Sequence, residues 1–272
     1  MARLKKSLGQ HLLADPRIQR RIVEALEPGP DDEVLEIGPG TGALTRHLVG
    51  RVGRLVLVEL DPRFADALRT RYGDRPDVLV VTGDILRTAP AQLVENWERT
   101  KVVGNIPYGI TSPLLAHLLE PRPRPARLVL TLQKEVAERL AAPPGSKTYG
   151  ALTVGVRAVA DVEILFRIPR HAFRPAPKVD SATVRITPHR PPRLTPEEEA
   201  DLRTLCRVAF AHRRKQILNA LRHRTYGLEA TRARTLLEEV GIPPTARPET
   251  LDVDRLLALA RALRHPRNPA TG

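Results

Sequence analysis

Residues 33–43 read EVLEIGPGTGA, a short strand-like run leading into a turn with glycines at positions 38, 40 and 42. Glycine permits a tight turn and lets a ligand approach the backbone, and the first amide groups of the helical segment that follows can bind an anion. Taken by itself the loop has two readings. Gly38, Gly40 and Ala43 also satisfy the GxGxxA fingerprint of dinucleotide-binding turns, and Glu59 lies about 20 residues downstream, where an NAD-binding carboxylate would sit.

Working outward, strand-like runs recur at LVLVEL (55–60), VLVV (78–81), KVVGN (101–105) and RLVLTL (127–132). Helical patterns lie between them, in ALTRHLV after Gly42 and in PRFADALRTRY from Pro62. Apolar strands alternating with helices predict an α/β domain, a mostly parallel sheet covered on both faces. VEILF (162–166) and ATVRI (182–186) predict an antiparallel closing pair, with PRHAFRPAPKVDS held between them. TPHRPPR (187–193) carries three prolines and no apolar period, which predicts a linker. Beyond it Thr195, Pro196 and Glu198 form a capping-box start, and the pattern stays helical to about Arg264. The expected organisation is a doubly wound domain over 1–188 and a small all-α domain over 189–272.

In an open parallel sheet the carboxyl ends of the strands share one edge, where ligands bind. Gly38, Glu59, Asp84 and Asn105 each follow or end one of the four successive strands. Glu59 can accept from two ribose hydroxyls and Asp84 from an adenine amino group, which suits NAD and S-adenosylmethionine equally. Residues 105–108, Asn105, Ile106, Pro107 and Tyr108, separate them. An exocyclic base amine is a weak nucleophile because its lone pair is delocalised into the ring. The Asn105 side-chain oxygen and a neighbouring carbonyl such as that of Ile106 can hold both N–H bonds and aim the lone pair at an electrophile. Pro107 stiffens that placement, and Tyr108 offers a surface on which the base can stack.

Composition agrees with a polyanionic partner. Lys and Arg total 44 against 31 acidic residues, a formal charge of +13, and Arg supplies 37 of the 44. Arg suits phosphate forks and base stacking. The region 189–272 is the denser basic element, with 16 basic and 10 acidic residues, and Arg213, Arg214 and Lys215 beside apolar helix positions mark a candidate RNA-contacting face. The lone Cys206 allows no intramolecular disulfide, and no Cys/His spacing suggests a metal site. No apolar run reaches the ~20 residues of a membrane span. A soluble, cytoplasmic protein without a metal is expected.

NIPY, with EIGPGTG, Glu59-Leu60-Asp61 and Gly83-Asp84 upstream, resembles the amino-methylating class of S-adenosylmethionine-dependent methyltransferases. KKSLGQHLL (5–13), NIPYGITSPLL, HAFRPAPKVDSATVRI and FAHRRKQIL together resemble the bacterial small-subunit (16S) ribosomal RNA adenine N6-dimethyltransferases of the KsgA or RsmA type, over nearly the whole chain. The resemblance implies that His11, Leu13, Gly38, Glu59, Asp84 and Asn105 bind the methyl donor. It also implies that Phe173 faces the target base opposite Tyr108. His11 and Leu12 depart from the Asn-Phe pair often found there. The implied targets are two adjacent adenosines in the loop near the rRNA 3′ end, reached by a monomer acting on an immature small subunit. Large-subunit rRNA adenine methyltransferases and an NAD-dependent oxidoreductase are the alternatives. Ser112-Pro113-Leu114, the VDSATV run and RPETLDVDRLLALA (247–260) look more like the small-subunit type.

Overall fold

The computed structural model describes residues 11–211 and 215–264. A two-residue strand, β1 (Leu12–Leu13), precedes helix α1 (Pro16–Leu26). Asp15 caps this helix, accepting from the Arg17 and Ile18 N–H groups at 2.8 and 3.4 Å. Strand β2 (Glu33–Ile37) leads through the glycine turn to α2 (Thr45–Leu48), then β3 (Arg54–Glu59), α3 (Pro62–Tyr72) and β4 (Val78–Thr82). Strand β5 (Lys101–Asn105), α4 (Thr111–Leu119) and β6 (Arg127–Gln133) follow. Next come α5 (Lys134–Leu140), α6 (Ala151–Arg157), β7 (Ala160–Ile168), β8 (Phe173–Arg174) and β9 (Ser181–Pro188). The C-terminal region holds α7 (Pro196–Ala211), α8 (Ile217–Leu221), α9 (Ala230–Glu239) and α10 (Val253–Arg264).

Among the described residues seven strands form one sheet in the order β4-β3-β2-β5-β6-β9-β7. The pairs β2–β3, β3–β4, β2–β5 and β5–β6 are parallel, and β6–β9 is antiparallel. The chain winds outward from β2 in one direction to β4, then returns to place β5 on the other side. The carboxyl ends of β2 and β5 therefore flank a topological switch point, where open α/β sheets bind ligands. Gly104 lies opposite Ile37 in this pairing, and a Cβ there would come 2.7 Å from the Ile37 carbonyl oxygen, so only glycine lets the strands meet so closely.

Val34, Leu55 and Leu57 pack with Ile22, Val23 and Leu26 of α1 and Leu68 of α3 in a continuous core. Each such side chain removed from water contributes about 1.5–3 kcal/mol. Three local expectations need correction. ALTRHLV makes only the single turn α2, because Val49 is extended (ψ 125°) and Gly50 takes positive φ, so the helix cannot continue. The expected linker over 187–193 loses its first residues to β9, which runs through Pro188. The loop between β7 and β9 contains β8, whose pairing with β1 joins Leu12 to Arg174 and Leu13 to Phe173.

The chain divides into two compact units. One extends to Ala137 and resumes over Asp161–Pro188; the other comprises Glu138–Ala160 and the chain from His189. Pro188 and His189 thus fall in different units, while 138–160, placed by the sequence in the first domain, groups with the C-terminal helices. Tyr149 shows why: it is fully buried, its hydroxyl donates to the Leu251 carbonyl at 2.8 Å, and its ring lies 6.1 Å from that of Phe210. Within the helical unit the Thr195 N–H donates to Glu198 at 2.9 Å and the Glu198 N–H to the Thr195 hydroxyl at 3.2 Å, a reciprocal capping box ahead of α7. Cys206 is buried there, with its thiol pushed up to about 12 by desolvation.

Candidate active site

One cleft opens at the carboxyl ends of β2, β3, β4 and β5. Gly38, Gly40 and Gly42 all have positive φ (64°, 56° and 77°), so the turn after β2 curls in a way side chains resist. A Cβ on Gly40 would also meet Leu12 at 3.0 Å. The Gly40 N–H instead donates to Glu59 Oε2 at 2.8 Å, and the Asp61 N–H donates to Oε1 at 2.8 Å. These two bonds fix the carboxylate, which is only 5 % exposed. Burial pushes the Glu59 carboxyl above its ordinary range, opposed by the two backbone donors. Each oxygen has a second lone pair, so the group can still accept from a diol in the cleft.

Flanking Glu59 and Asp84 are two apolar residues, Leu60 (49 % exposed) and Ile85, both lining the cleft. They offer surfaces for a flat ring, and Asp84 stands beside them. Asp84 Oδ1 accepts the Leu86 N–H at 3.0 Å, which holds the carboxylate within its own turn.

On the other side of the cleft, Asn105 Nδ2 donates to the His11 main-chain carbonyl at 2.8 Å. This bond decides the orientation of the amide, because only the nitrogen end can donate to a carbonyl, and Oδ1 is left as the acceptor. The Ile106 N–H donates to the Thr131 carbonyl at 3.0 Å, and the Pro107 carbonyl accepts the Ile110 N–H at 3.1 Å as the chain turns into α4. The Tyr108 ring stacks against the His11 ring (centroids 5.9 Å, planes 27° apart), and its hydroxyl shares a 2.8 Å hydrogen bond with Ser181 Oγ. Burial pushes the Tyr108 phenol above its ordinary value, so it stays protonated at neutral pH.

His11, Gly38, Glu59, Asp84, Asn105, Ile106, Pro107 and Tyr108 thus share one cleft. Two expected members lie elsewhere. Leu13 is in the core, its carbonyl accepting from Gln19 Nε2 at 2.8 Å. Phe173 is 1 % exposed in the same core and is not among the cleft-lining residues, because its pairing with Leu13 turns it inward. Arg213 and Arg214 fall outside the described residues; Lys215 is exposed. Sequence reasoning missed Leu12, Leu60, Ile85 and Ser181. Leu60 and Ile85 carried a usable signal, each being the apolar residue next to a strand-end carboxylate. Among the described residues no group of three or more His, Cys, Asp or Glu side chains could hold a metal ion.

The model of one protein family, described as ribosomal RNA adenine dimethylase, matches residues 1–259. The chain belongs to the ribosomal RNA adenine dimethylase family. It is 43 % identical over 263 residues to the ribosomal RNA small subunit methyltransferase A of Geobacter metallireducens, covering 96 % of each chain. Among solved structures it is similar to a dimethyladenosine transferase from Plasmodium falciparum, with TM-score 0.80, 28 % identity and coverage of 92 % of this chain and 96 % of that one. It is also similar to the 23S rRNA methyltransferase ErmE, with TM-score 0.72, 29 % identity and coverage of 93 % and 100 %. Membership in the dimethylase family decides between the two readings of the glycine turn, in favour of S-adenosylmethionine. The cleft fits that donor: a glycine cradle, a buried carboxylate with spare acceptor capacity for a ribose, apolar walls for adenine, and the Asn105 acceptor facing the reacting side.

Proposed function

We propose that this chain transfers methyl groups from S-adenosylmethionine to N6 of two adjacent adenosines in the loop near the 3′ end of small-subunit rRNA, giving N6,N6-dimethyladenosines. The reading includes a monomeric cytoplasmic enzyme acting on an immature small ribosomal subunit. It assigns donor binding to His11, Gly38, Glu59 and Asp84, and base binding to Asn105, Ile106, Pro107 and Tyr108. The observation that carries it is the Asn105–His11 hydrogen bond, which commits the amide to accepting on its cleft side.

The donor supplies a methyl group on a sulfonium whose leaving group is a neutral thioether, so the chain's work is orientation. Asn105 Oδ1 and the Ile106 carbonyl accept the two N6–H bonds, turning the nitrogen lone pair out of the ring plane. Tyr108 holds the flipped base flat against its ring. Transfer leaves N6 positively charged, and it releases one proton to water; one N–H then remains, and the methylamine rotates or rebinds so that one acceptor suffices. Basic residues of the C-terminal region contact phosphates, with Arg213, Arg214 and Lys215 as the sequence candidates and Lys215 lying in the bend between α7 and α8; each neutralised single-strand phosphate adds roughly 0.7 log units of affinity loss per decade of salt.

Nucleoside mass spectrometry on unmethylated small subunits incubated with the protein and donor tests the reading. N6,N6-dimethyladenosine is the expected product. Its absence while the donor binds overturns the assigned substrate, and dimethylation mapped instead to large-subunit RNA transfers the chain to that branch of the family.

A further inference from the structure

Tyr108 sits in a short 3-10 turn, Tyr108–Ile110, outside regular structure, and a tyrosine ring is free about two torsions unless something holds its far end. The far end here is held. Its hydroxyl meets Ser181 Oγ at 2.8 Å, and Ser181 is fully buried, opening β9 directly opposite Gln133 of β6. The β6–β9 ladder runs in register from Leu128–Ile186 to Gln133–Ser181, so the serine is held as the end pair of that six-pair ladder. The same β6 strand holds the reacting end of the cleft from the other side: the Thr131 carbonyl takes the Ile106 N–H at 3.0 Å, and Thr131 pairs with Asn105. Just upstream of the serine, the Asp180 carbonyl accepts the Lys134 N–H at 3.0 Å, which ties down the end of the β7–β9 loop.

We infer that Ser181 is a positioning residue for methyl transfer: by holding the Tyr108 hydroxyl it fixes the plane on which the target base lies, relative to the acceptors at Asn105 and Ile106. This rests on the proposed reading of the cleft. Ser181 touches neither base nor donor; it acts through Tyr108. The physical requirement is angular. Without the Ser181 bond the ring keeps the His11 stack against it, but its far end is free to swing within its rotamer well, and each degree of swing moves the stacked base away from the line joining N6 to the methyl carbon. The anchor matters most for the second methylation, when one N–H is gone and stacking carries more of the orientation.

The test is a double-mutant cycle of Ser181→Ala and Tyr108→Phe, assayed for kcat, KM for the RNA substrate and the ratio of monomethylated to dimethylated adenosine. Each single variant is expected to lose about three- to tenfold in kcat, the size of one hydrogen bond. Both are expected to accumulate monomethyladenosine, and the double variant to be no worse than either single one. Donor affinity is expected to stay unchanged in Ser181→Ala; an unchanged kcat together with an unchanged dimethyl-to-monomethyl ratio in that variant, whatever its melting temperature, overturns the inference. So do fully additive losses. Tyr108→Ala separates this from the site reading: normal turnover in that variant removes the base-binding cleft itself. Impaired Tyr108→Ala beside normal Ser181→Ala and Tyr108→Phe removes only the anchor. Should Ser181→Ala fail to fold, Tyr108→Phe still carries the test, because it deletes the same hydrogen bond from the half-buried side.

Discussion

The Asn105 side-chain nitrogen donates to the main-chain carbonyl of His11 at 2.8 Å, and these two residues are 94 positions apart. A strand-end asparagine is thereby oriented by a segment that the sheet does not include. The relationship explains how an amide, which could face either way, presents its oxygen to an incoming amine.

Replacing Asn105 by Ala removes one of the two acceptors for N6–H. Methyl transfer is expected to fall at least about 100-fold, as for other losses of near-attack alignment. RNA affinity should stay within a few-fold, measured by filter binding. Turnover close to that of the unmodified protein would remove Asn105 from the reaction.

Glu59→Gln keeps the shape of the carboxylate and loses its symmetry. The Gly40 and Asp61 N–H groups each donate to a different Glu59 oxygen. An amide can satisfy one and must oppose the other with its own donor, a mismatch that costs about 1–3 kcal/mol. Donor affinity is expected to drop about tenfold or more, read by isothermal calorimetry, along with a lower melting temperature.

Gly104→Ala places a Cβ 2.7 Å from the Ile37 carbonyl oxygen and 2.8 Å from Ile106 Cδ1. The first of these is backbone in the neighbouring strand and cannot swing aside. Strands β2 and β5 must separate, at a cost of about 1–3 kcal/mol. Denaturant unfolding should show that loss, and activity should fall further than stability alone explains, because Asn105 and Ile106 follow directly on the displaced residue.

Glu36 is 1 % exposed on β2, its carboxylate accepting the Thr45 hydroxyl at 2.7 Å. Burial is the main cause that pushes its carboxyl from the ordinary 4.5 up to about 8. Between those two values the folded chain holds a proton that the unfolded chain has released, so folding stability falls as pH rises through that window and is fully present below it. Glu36→Gln retains an acceptor for Thr45 and cannot ionise. The variant should be close to the unmodified protein at pH 5 and more stable at pH 8, by on the order of a few kcal/mol. Urea unfolding at the two pH values measures the difference; equal pH dependence in both proteins would show that Glu36 does not titrate in this range.

Much of the site was legible in the sequence because its parts are local. The glycine turn, Glu59, Asp84 and Asn105 each sit where a strand stops, and strand ends are marked by short-range pattern. Helix α3 and the Thr195–Glu198 cap were readable for the same reason: caps and helical periodicity are interactions between near neighbours. Tertiary structure alone decided the rest. The inward turn of Phe173 depends on a two-residue pairing with Leu13, and the grouping of 138–160 with the C-terminal helices depends on where Tyr149 is buried. The bond between Tyr108 and Ser181 spans 73 positions. Local propensity and periodicity carry no information about which distant segments meet; that is settled only when sheet order and register bring the two ends of β6 and β9, and the segment at His11, to the same edge.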